Sequence, residues 1–253
     1  MQLFDTHCHI DVGEFDPDRT RVLDDARAAG VADLLVPAVQ RTSWPSLIAL
    51  CAGDPGLHLA LGMHPVYLQQ HQPTDVQALH DEVARSRPVA IGEIGLDWQL
   101  KDLDRTQQQR LLEAQLDIAQ TFRLPVVLHV RKAHDAMLQT LRRFELNGGF
   151  CHAFNGSLEQ AGIYLDMGFR LGFGGMLTFE RSTRLHRLAA ALPLEAMVLE
   201  TDAPDMTVAS HQYQRNSPAY LPEVLGCMAA LRKLPPAEVA AVTSANARAV
   251  LGL

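Results

Sequence analysis

Hydrophobic positions along the chain fall into two alternating kinds of run. Short apolar stretches rich in β-branched and aromatic residues cover residues 3–10, 32–39, 57–63, 89–96, 125–130, 149–154, 169–173 and 196–200, and these predict strands. Between them lie longer segments with apolar residues at helical spacing, at 18–29, 43–51, 74–86, 105–122, 133–144, 158–167 and 183–192. Two further helical patterns, 221–234 and 237–251, close the sequence. Gly30 follows the first helical pattern as a C-terminal stop signal, and Pro236 suits the first position of the last helix.

Strand–helix alternation of this kind implies a parallel sheet with right-handed crossovers. Eight repeats point to an α/β fold, a single (β/α)8 TIM barrel occupying residues 1–253. An open doubly wound sheet is the competing architecture, but no Gly-rich dinucleotide fingerprint or P-loop follows any strand. The stretch 203–219 lacks periodicity and reads as a long loop after the eighth strand.

Polar residues able to bind cations sit where the predicted strands end. His7 and His9 close the first strand, and alternation places both imidazoles on one face with Asp5. Glu93 lies in the fourth strand, His129 ends the fifth, His152 sits in the sixth and Asp202 follows the eighth. The carboxyl ends of barrel strands form one face, so all these groups are expected at one mouth. Imidazole and carboxylate donors suit divalent Zn, Mn, Mg or Co. Two such cations would clamp a phosphoryl group and activate water, with Glu93 bridging them and Asp202 accepting the proton of that water.

Other residues carry two readings. His64 faces substrate or simply holds the Pro65 turn. Arg131, two positions beyond His129, grips a phosphate or closes the barrel top in an ion pair. Arg215 and Asn216 offer a cation and an amide from the long loop, or are merely solvated. Asp5 and Glu200 are expected behind the ligands as supports. Asp97 reads as a loop or helix-capping residue, Ser157 as a helix cap, and His71, His80 and His186 as surface residues. Cys8 and Cys151 each adjoin a histidine, so alternation turns them away from it into the core, and a cysteine nucleophile is not expected.

Composition narrows the class. Hydrophobic residues make up 47% of the 253, enough for a large core, and four scattered cysteines form no CxxC pair, as in a reduced cytoplasmic protein. The metal-type motif begins at Asp5, which leaves no room for a signal peptide ahead of it, and no apolar run approaches a membrane span. The net charge of −7 means that an anionic substrate must be drawn in locally.

The motifs Phe4-Asp5-Thr6-His7-Cys8-His9, Gly62-Met63-His64-Pro65, Gly92-Glu93-Ile94-Gly95-Leu96-Asp97, Leu128-His129-Val130-Arg131, Cys151-His152-Ala153-Phe154-Asn155-Gly156, Glu200-Thr201-Asp202-Ala203-Pro204 and Arg215-Asn216-Ser217-Pro218 together resemble the TatD family of metal-dependent deoxyribonucleases. The resemblance implies a two-metal barrel, with one cation on His7, His9, Glu93 and Asp202 and the other on Glu93, His129 and His152. It further implies that Glu93 takes the bridging place of a modified lysine in related amidohydrolases. Val66 and the glycines of Gly172-Phe173-Gly174-Gly175 depart from the family pattern and bear on the substrate pocket. The implied substrate is DNA or a nucleotide-like phosphoester, without a membrane or an obligate protein partner. The alternatives are a small-molecule hydrolase opening an amide, lactone or phosphoester on the same metals, and a non-catalytic metal-binding scaffold.

Overall fold

The computed structural model describes residues 2–253. Eight parallel strands pair in chain order: β1 (Leu3–Asp5), β2 (Val31–Pro37), β3 (Leu57–Leu61), β4 (Ala90–Asp97), β5 (Val126–Arg131), β6 (Gly149–Cys151), β7 (Phe169–Phe173) and β8 (Met197–Leu199). The ends of the sheet meet where the Thr6 amide and hydroxyl both donate to Leu199 O, at 3.0 and 3.1 Å, completing a TIM barrel. Helices α1 (Arg19–Ala28), α2 (Trp44–Ala52), α3 (Asp75–Ser86), α4 (Arg105–Phe122), α5 (His134–Leu141), α6 (Leu158–Asp166) and α7 (Thr183–Ala191) fill the crossovers, and α8 (Leu221–Arg232) and α9 (Pro236–Leu251) follow β8.

Alternation along each strand divides the apolar residues into two layers. Phe4, Leu35, Ala60, Ala90, Val127, Phe150 and Val198 fill the lumen, and Ala247 and Leu251 of α9 pack against them. Their neighbours, such as Leu3, Leu34, Leu61, Ile91, Leu128, Cys151 and Leu171, face the helix layer. Cys8 and Cys151 are both buried in that outer layer. Helix α9 also ties the seam: Ser244 Oγ accepts from Phe4 N at 3.2 Å, and Asn246 Nδ2 donates to Leu194 O and Met197 O.

The strands are shorter than the apolar runs. The sequence predicts 3–10, 149–154 and 196–200, whereas β1 stops at Asp5, β6 at Cys151 and β8 at Leu199. The residues beyond have left the ladder to turn over the mouth. Helix α5 stops at Leu141 rather than running to 144. Gly30, at φ 90°, stands just past α1, Pro236 opens α9, and Ser157 caps α6 in a reciprocal capping box with Gln160.

Two buried glutamines of α4 fix the ends of β3 and β4. Gln115 Oε1 accepts from Met63 N at 2.7 Å and its Nε2 donates to Met63 O at 3.1 Å. One face and two turns away, Gln108 does the same for Asp97 N and O, at 2.8 and 3.0 Å. Each amide satisfies backbone groups that the ladder leaves unpaired next to His64 and Asp97. Replacing Gln115 with Leu is expected to strand two buried polar groups of Met63 and destabilise the fold by about 1–3 kcal/mol, read as a lower midpoint of urea unfolding.

Candidate metal centre and its mouth

His7 and His9 lie beyond the end of β1, in a segment pinned on both sides. Cys8 N donates to Leu35 O, His9 N to Ala203 O at 2.8 Å, and Asp202 N to His7 O at 2.8 Å. Asp5 does not project with the two imidazoles. Because the strand ends there, its carboxylate turns back to accept from His7 N, Thr201 N and Thr201 Oγ1, at 3.2, 2.9 and 2.5 Å. Full burial holds its pKa up at about 7 against those hydrogen bonds.

Glu93 is aimed inward by a bulge. Ile91 pairs with Val126 but Ile94 with Leu128, so three residues of β4 oppose two of β5. Strict alternation would turn Glu93 outward with Ile91; the extra residue brings it over the lumen. Gly92 permits the close approach, since a Cβ there would meet Val127 Cγ2 at 3.1 Å and Val127 O at the same distance.

Four imidazoles surround this buried carboxylate. Glu93 Oε2 lies 3.1 Å from His7 Nε2 and 3.4 Å from His9 Nε2; Oε1 lies 3.2 Å from His64 Nε2 and 3.1 Å from His129 Nδ1. Burial alone would raise its pKa, but the surrounding imidazoles, those of His64 and His7 foremost and then His129, favour its charged form and hold it well below the usual range. Asp202, at φ 60° after β8, brings Oδ1 to 3.7 Å from His7 Nε2 and 3.6 Å from His9 Nε2. Its burial is likewise outweighed, by His152 first and then His7 and His9, leaving it at about 2.

This donor set fits a cation. His7 Nε2 also lies 3.1 Å from His9 Nε2, so one ring nitrogen faces both that imidazole and the Glu93 carboxylate at 3.1 Å, and a single N–H cannot serve both. The 3.1–3.4 Å separations among His7, His9 and Glu93 match the roughly 3.0–3.4 Å between neighbouring ligands that metal bonds of about 2.1 Å produce, and Asp202 stands slightly farther out at 3.6–3.7 Å. His9 Nδ1 lies 3.2 Å from Pro37 O, so that nitrogen keeps the proton of the neutral ring and Nε2 is the one a cation would take once its own proton leaves.

His64 differs. Its Nδ1 accepts from Val66 N at 3.1 Å, so in the neutral ring the proton sits on Nε2 and points at Glu93. Burial keeps it neutral, with its pKa down at about 4. It therefore enters the mouth as a hydrogen-bond donor, and its backbone is held by His71, whose ring nitrogen lies 2.9 Å from His64 O. His71 is thus half-buried and structural, and His186 likewise meets Leu177 O at 2.8 Å, so neither is a free surface residue; His80 remains the exposed one.

His129 and His152 occupy separate flanks. His129 reaches Glu93 through Nδ1 and Asp97 Oδ2, 3.2 Å away, through Nε2. Burial opposes its charging, but those two carboxylates keep its pKa raised. His152 stacks on His7 with ring centroids 3.7 Å apart, Nε2 3.5 Å from Asp202 and Nδ1 3.0 Å from Glu200. Glu200 Oε1 also accepts from Ala153 N at 2.6 Å, and Gly172 leaves room for its carboxylate, which any β-carbon there would strike. The groups that close to within 4.8 Å are His7 with Glu93 and His152, His7 with His9 and Asp202, and His64 with Glu93 and His129. Glu93, His129 and His152, the second set implied by the resemblance, are not among these groups.

Asp97 is a site residue that its sequence position concealed. The cap of α4 is Asp104, whereas buried Asp97 accepts from Gln99 N and Leu100 N with one oxygen and meets His129 with the other. Its neighbour Gly95 was the available signal, since only a glycine fits against the His129 backbone at φ 156°.

The mouth above these groups is a cavity of about 910 Å³, lined by His64, Glu93, Arg131, His152 and Asp202 among others. Arg131 is 57% exposed and 4.0 Å from Asp97, free to meet a ligand. Arg215 and Asn216 are not offered to the mouth. Arg215 grips both oxygens of Asp18 at 2.9 and 2.8 Å and lies over the Phe15 ring. Asn216 is buried, its Nδ2 donating to Thr201 O and Asp205 O at 2.8 and 2.7 Å. Both brace the loop that presents Asp202. Arg184, at the start of α7, lines the cavity and carries no motif that marks it in the sequence.

A barrel with histidines and acids converging at its carboxyl end defines a metal-dependent hydrolase class. The family model described as "TatD related DNase" matches residues 4–252, and the chain belongs to that family. It is 38% identical over 242 residues to the uncharacterized metal-dependent hydrolase YjjV of Escherichia coli K12, covering 94% of this chain and 93% of that one. It is 33% identical over 254 residues to the 3'-5' ssDNA/RNA exonuclease TatD of Salmonella typhimurium LT2, covering 97% of each. The crystal structure of the E. coli YjjV, a TatD homolog, superposes with a TM-score of 0.95 at 36% identity, covering 99% of this chain and 98% of that one. The protein is thus a metal-dependent hydrolase, and among the described residues no helix is long and apolar enough to cross a membrane.

In metal-free protein, burial works against charging His9, but Glu93 and Asp202 hold its pKa up at about 9. A cation must expel that proton. Calorimetric titration with zinc or manganese in buffers of different ionisation enthalpy is expected to show release of about one proton at pH 7.5, with affinity weakening as pH falls. Because the folded pKa exceeds the unfolded 6.5, the metal-free protein should also lose stability as pH rises from about 6.5 through 9.

Proposed function

We propose that the chain is a divalent-cation-dependent deoxyribonuclease that hydrolyses phosphodiester bonds at the end of single-stranded DNA. The observation that carries this reading is the convergence of His7, His9, Glu93 and Asp202 at the floor of a mouth whose wall holds Arg131. The Salmonella relative named as an exonuclease supports it. By the family resemblance a second cation would be held by Glu93, His129 and His152, of which Glu93 closes with His152 and with His129 only in separate groups. The cations, whether Zn, Mn, Mg or Co, would supply charge stabilisation to the phosphoryl oxygens and lower the pKa of an attacking water.

The chain's own groups divide the remaining work. Asp202, ionised and fixed by its amide bond to His7 O, takes the proton of the attacking water. His64 holds a proton on Nε2 and donates it as a hydrogen bond to a phosphoryl or leaving-group oxygen. Arg131 orients the phosphate. Glu200 places its charge 3.0 Å from His152 Nδ1, and Asp5 holds the backbone of His7. The four free cysteines accord with action in the reducing cytoplasm.

A small-molecule hydrolase is the second reading. It is favoured by the net charge of −7 and by a cavity of about 910 Å³ walled by Val66, Tyr67, Leu100 and Phe173, within the range of small-ligand pockets.

Cation-loaded protein is expected to release nucleotides from single-stranded DNA, and Asp202→Asn to abolish the release. Activity surviving that substitution, or higher kcat/KM on an amide, lactone or small phosphoester, overturns the nuclease reading. His64→Ala is expected to lower kcat by about 100-fold, the scale of one proton-donating group, while bound metal measured by elemental analysis stays constant. Loss of a metal equivalent would make His64 a ligand instead.

A further inference from the structure

The wall of the mouth is divided by charge, and the division follows the order of the strands. Arg131 ends β5, and Arg184 stands in the first turn of α7, after β7. Arg184 makes no ion pair among the described residues. It lies close enough to His134 for its charge to act there, and His134 meets Asn155 of the same wall at 3.3 Å. Among the described residues the one carboxylate within 4.0 Å of Arg131, that of Asp97, is already occupied by His129 and two backbone amides. Two guanidinium groups without a committed partner on one arc of a cavity form a receptor for an anion.

The neighbouring arc has the opposite sign. Glu14, in the segment after β1, and Asp205, after β8, line the cavity beside Asp202. Neither Glu14 nor Asp205 has an arginine or lysine partner among the described residues, since Arg215, the nearest cation of that loop, is spent on Asp18 and the Glu14 carbonyl. A phosphate is therefore attracted on one side of the metal centre and repelled on the other.

We infer that this division reads the end of a nucleic-acid strand, an inference that rests on the phosphodiesterase reading above. The phosphate next to the scissile one, on the retained side of the chain, is held by Arg131 and Arg184. The outer sugar of the departing nucleotide faces Glu14 and Asp205, which accept a free hydroxyl and reject a phosphate on it. The site then takes strands whose departing end carries a hydroxyl, and it gains from a second phosphate only on the other side.

The test uses the cation-loaded protein and three probes: a dinucleoside monophosphate, a trinucleotide with two phosphates, and that trinucleotide with a phosphate on the hydroxyl of its departing end. The second phosphate is expected to raise kcat/KM at least tenfold, and the end phosphate to lower it at least tenfold. Arg184→Ala should shrink the trinucleotide-to-dinucleotide ratio toward one, with Arg184→Lys restoring part of it. Glu14→Gln combined with Asp205→Asn should lift the end-phosphate penalty. An unchanged ratio in Arg184→Ala, or equal rates with and without the end phosphate in the unaltered enzyme, overturns the inference while leaving the nuclease standing. Failure to cleave any of the three probes, beside turnover of a small ester or amide, removes the underlying phosphodiesterase reading and this inference with it.

Discussion

The site is organised around one electrostatic demand. Glu93 is 2% exposed, and a buried carboxylate without compensation is among the most costly groups a fold can contain. Compensation arrives from three strand ends at once, through His7 and His9 after β1, His64 after β3 and His129 in β5, all within 3.4 Å. Those imidazoles are themselves buried or half-buried, so each depends on the acid as much as it depends on them. The pKa directions follow: Glu93 and Asp202 are driven down, His9 and His129 up, and His7 and His64, with the least access to water, down. Cations entering this arrangement replace protons rather than fill neutral space.

The barrel makes such convergence geometrically simple. Parallel strands place every carboxyl end on one face, and the lumen beneath is sealed by Phe4, Leu35, Phe150 and Val198. The polar groups therefore lie on a dry apolar floor and look into a wet mouth. Rigidity comes from outside the barrel: Gln108 and Gln115 clamp two strand ends from α4, while Arg215 and Asn216 strap down the loop after β8.

Much of this was legible in the residue pattern. Hydrophobic periodicity sufficed for eight strand–helix units, because each strand must be apolar on both faces to lie between lumen and helices. A single imidazole at a strand end is most often structural; the histidines stood out because they recur at the same ends of several strands, with His7 and His9 paired at the first. What escaped the pattern depends on local departures from it. The bulge in β4 decides which way Glu93 faces, and period-two reasoning alone points it outward. Asp97 looks like a helix cap until Asp104 is seen to hold that place. Arg215 reads as a free cation because its partner, Asp18, lies almost two hundred residues earlier in the chain. The Nδ1 bond that fixes the His64 proton is a matter of backbone geometry around Pro65, which composition does not encode.

Helix α9 carries a consequence for how the molecule comes into being. Ser244 bonds the backbone of Gln2 and Phe4, and Ala247 and Leu251 close the floor under the lumen. During synthesis the first strand must wait for the last helix to leave the ribosome before its end of the barrel is sealed. A half-made chain therefore holds its first strand, and the histidines beyond it, on a scaffold whose floor is still open.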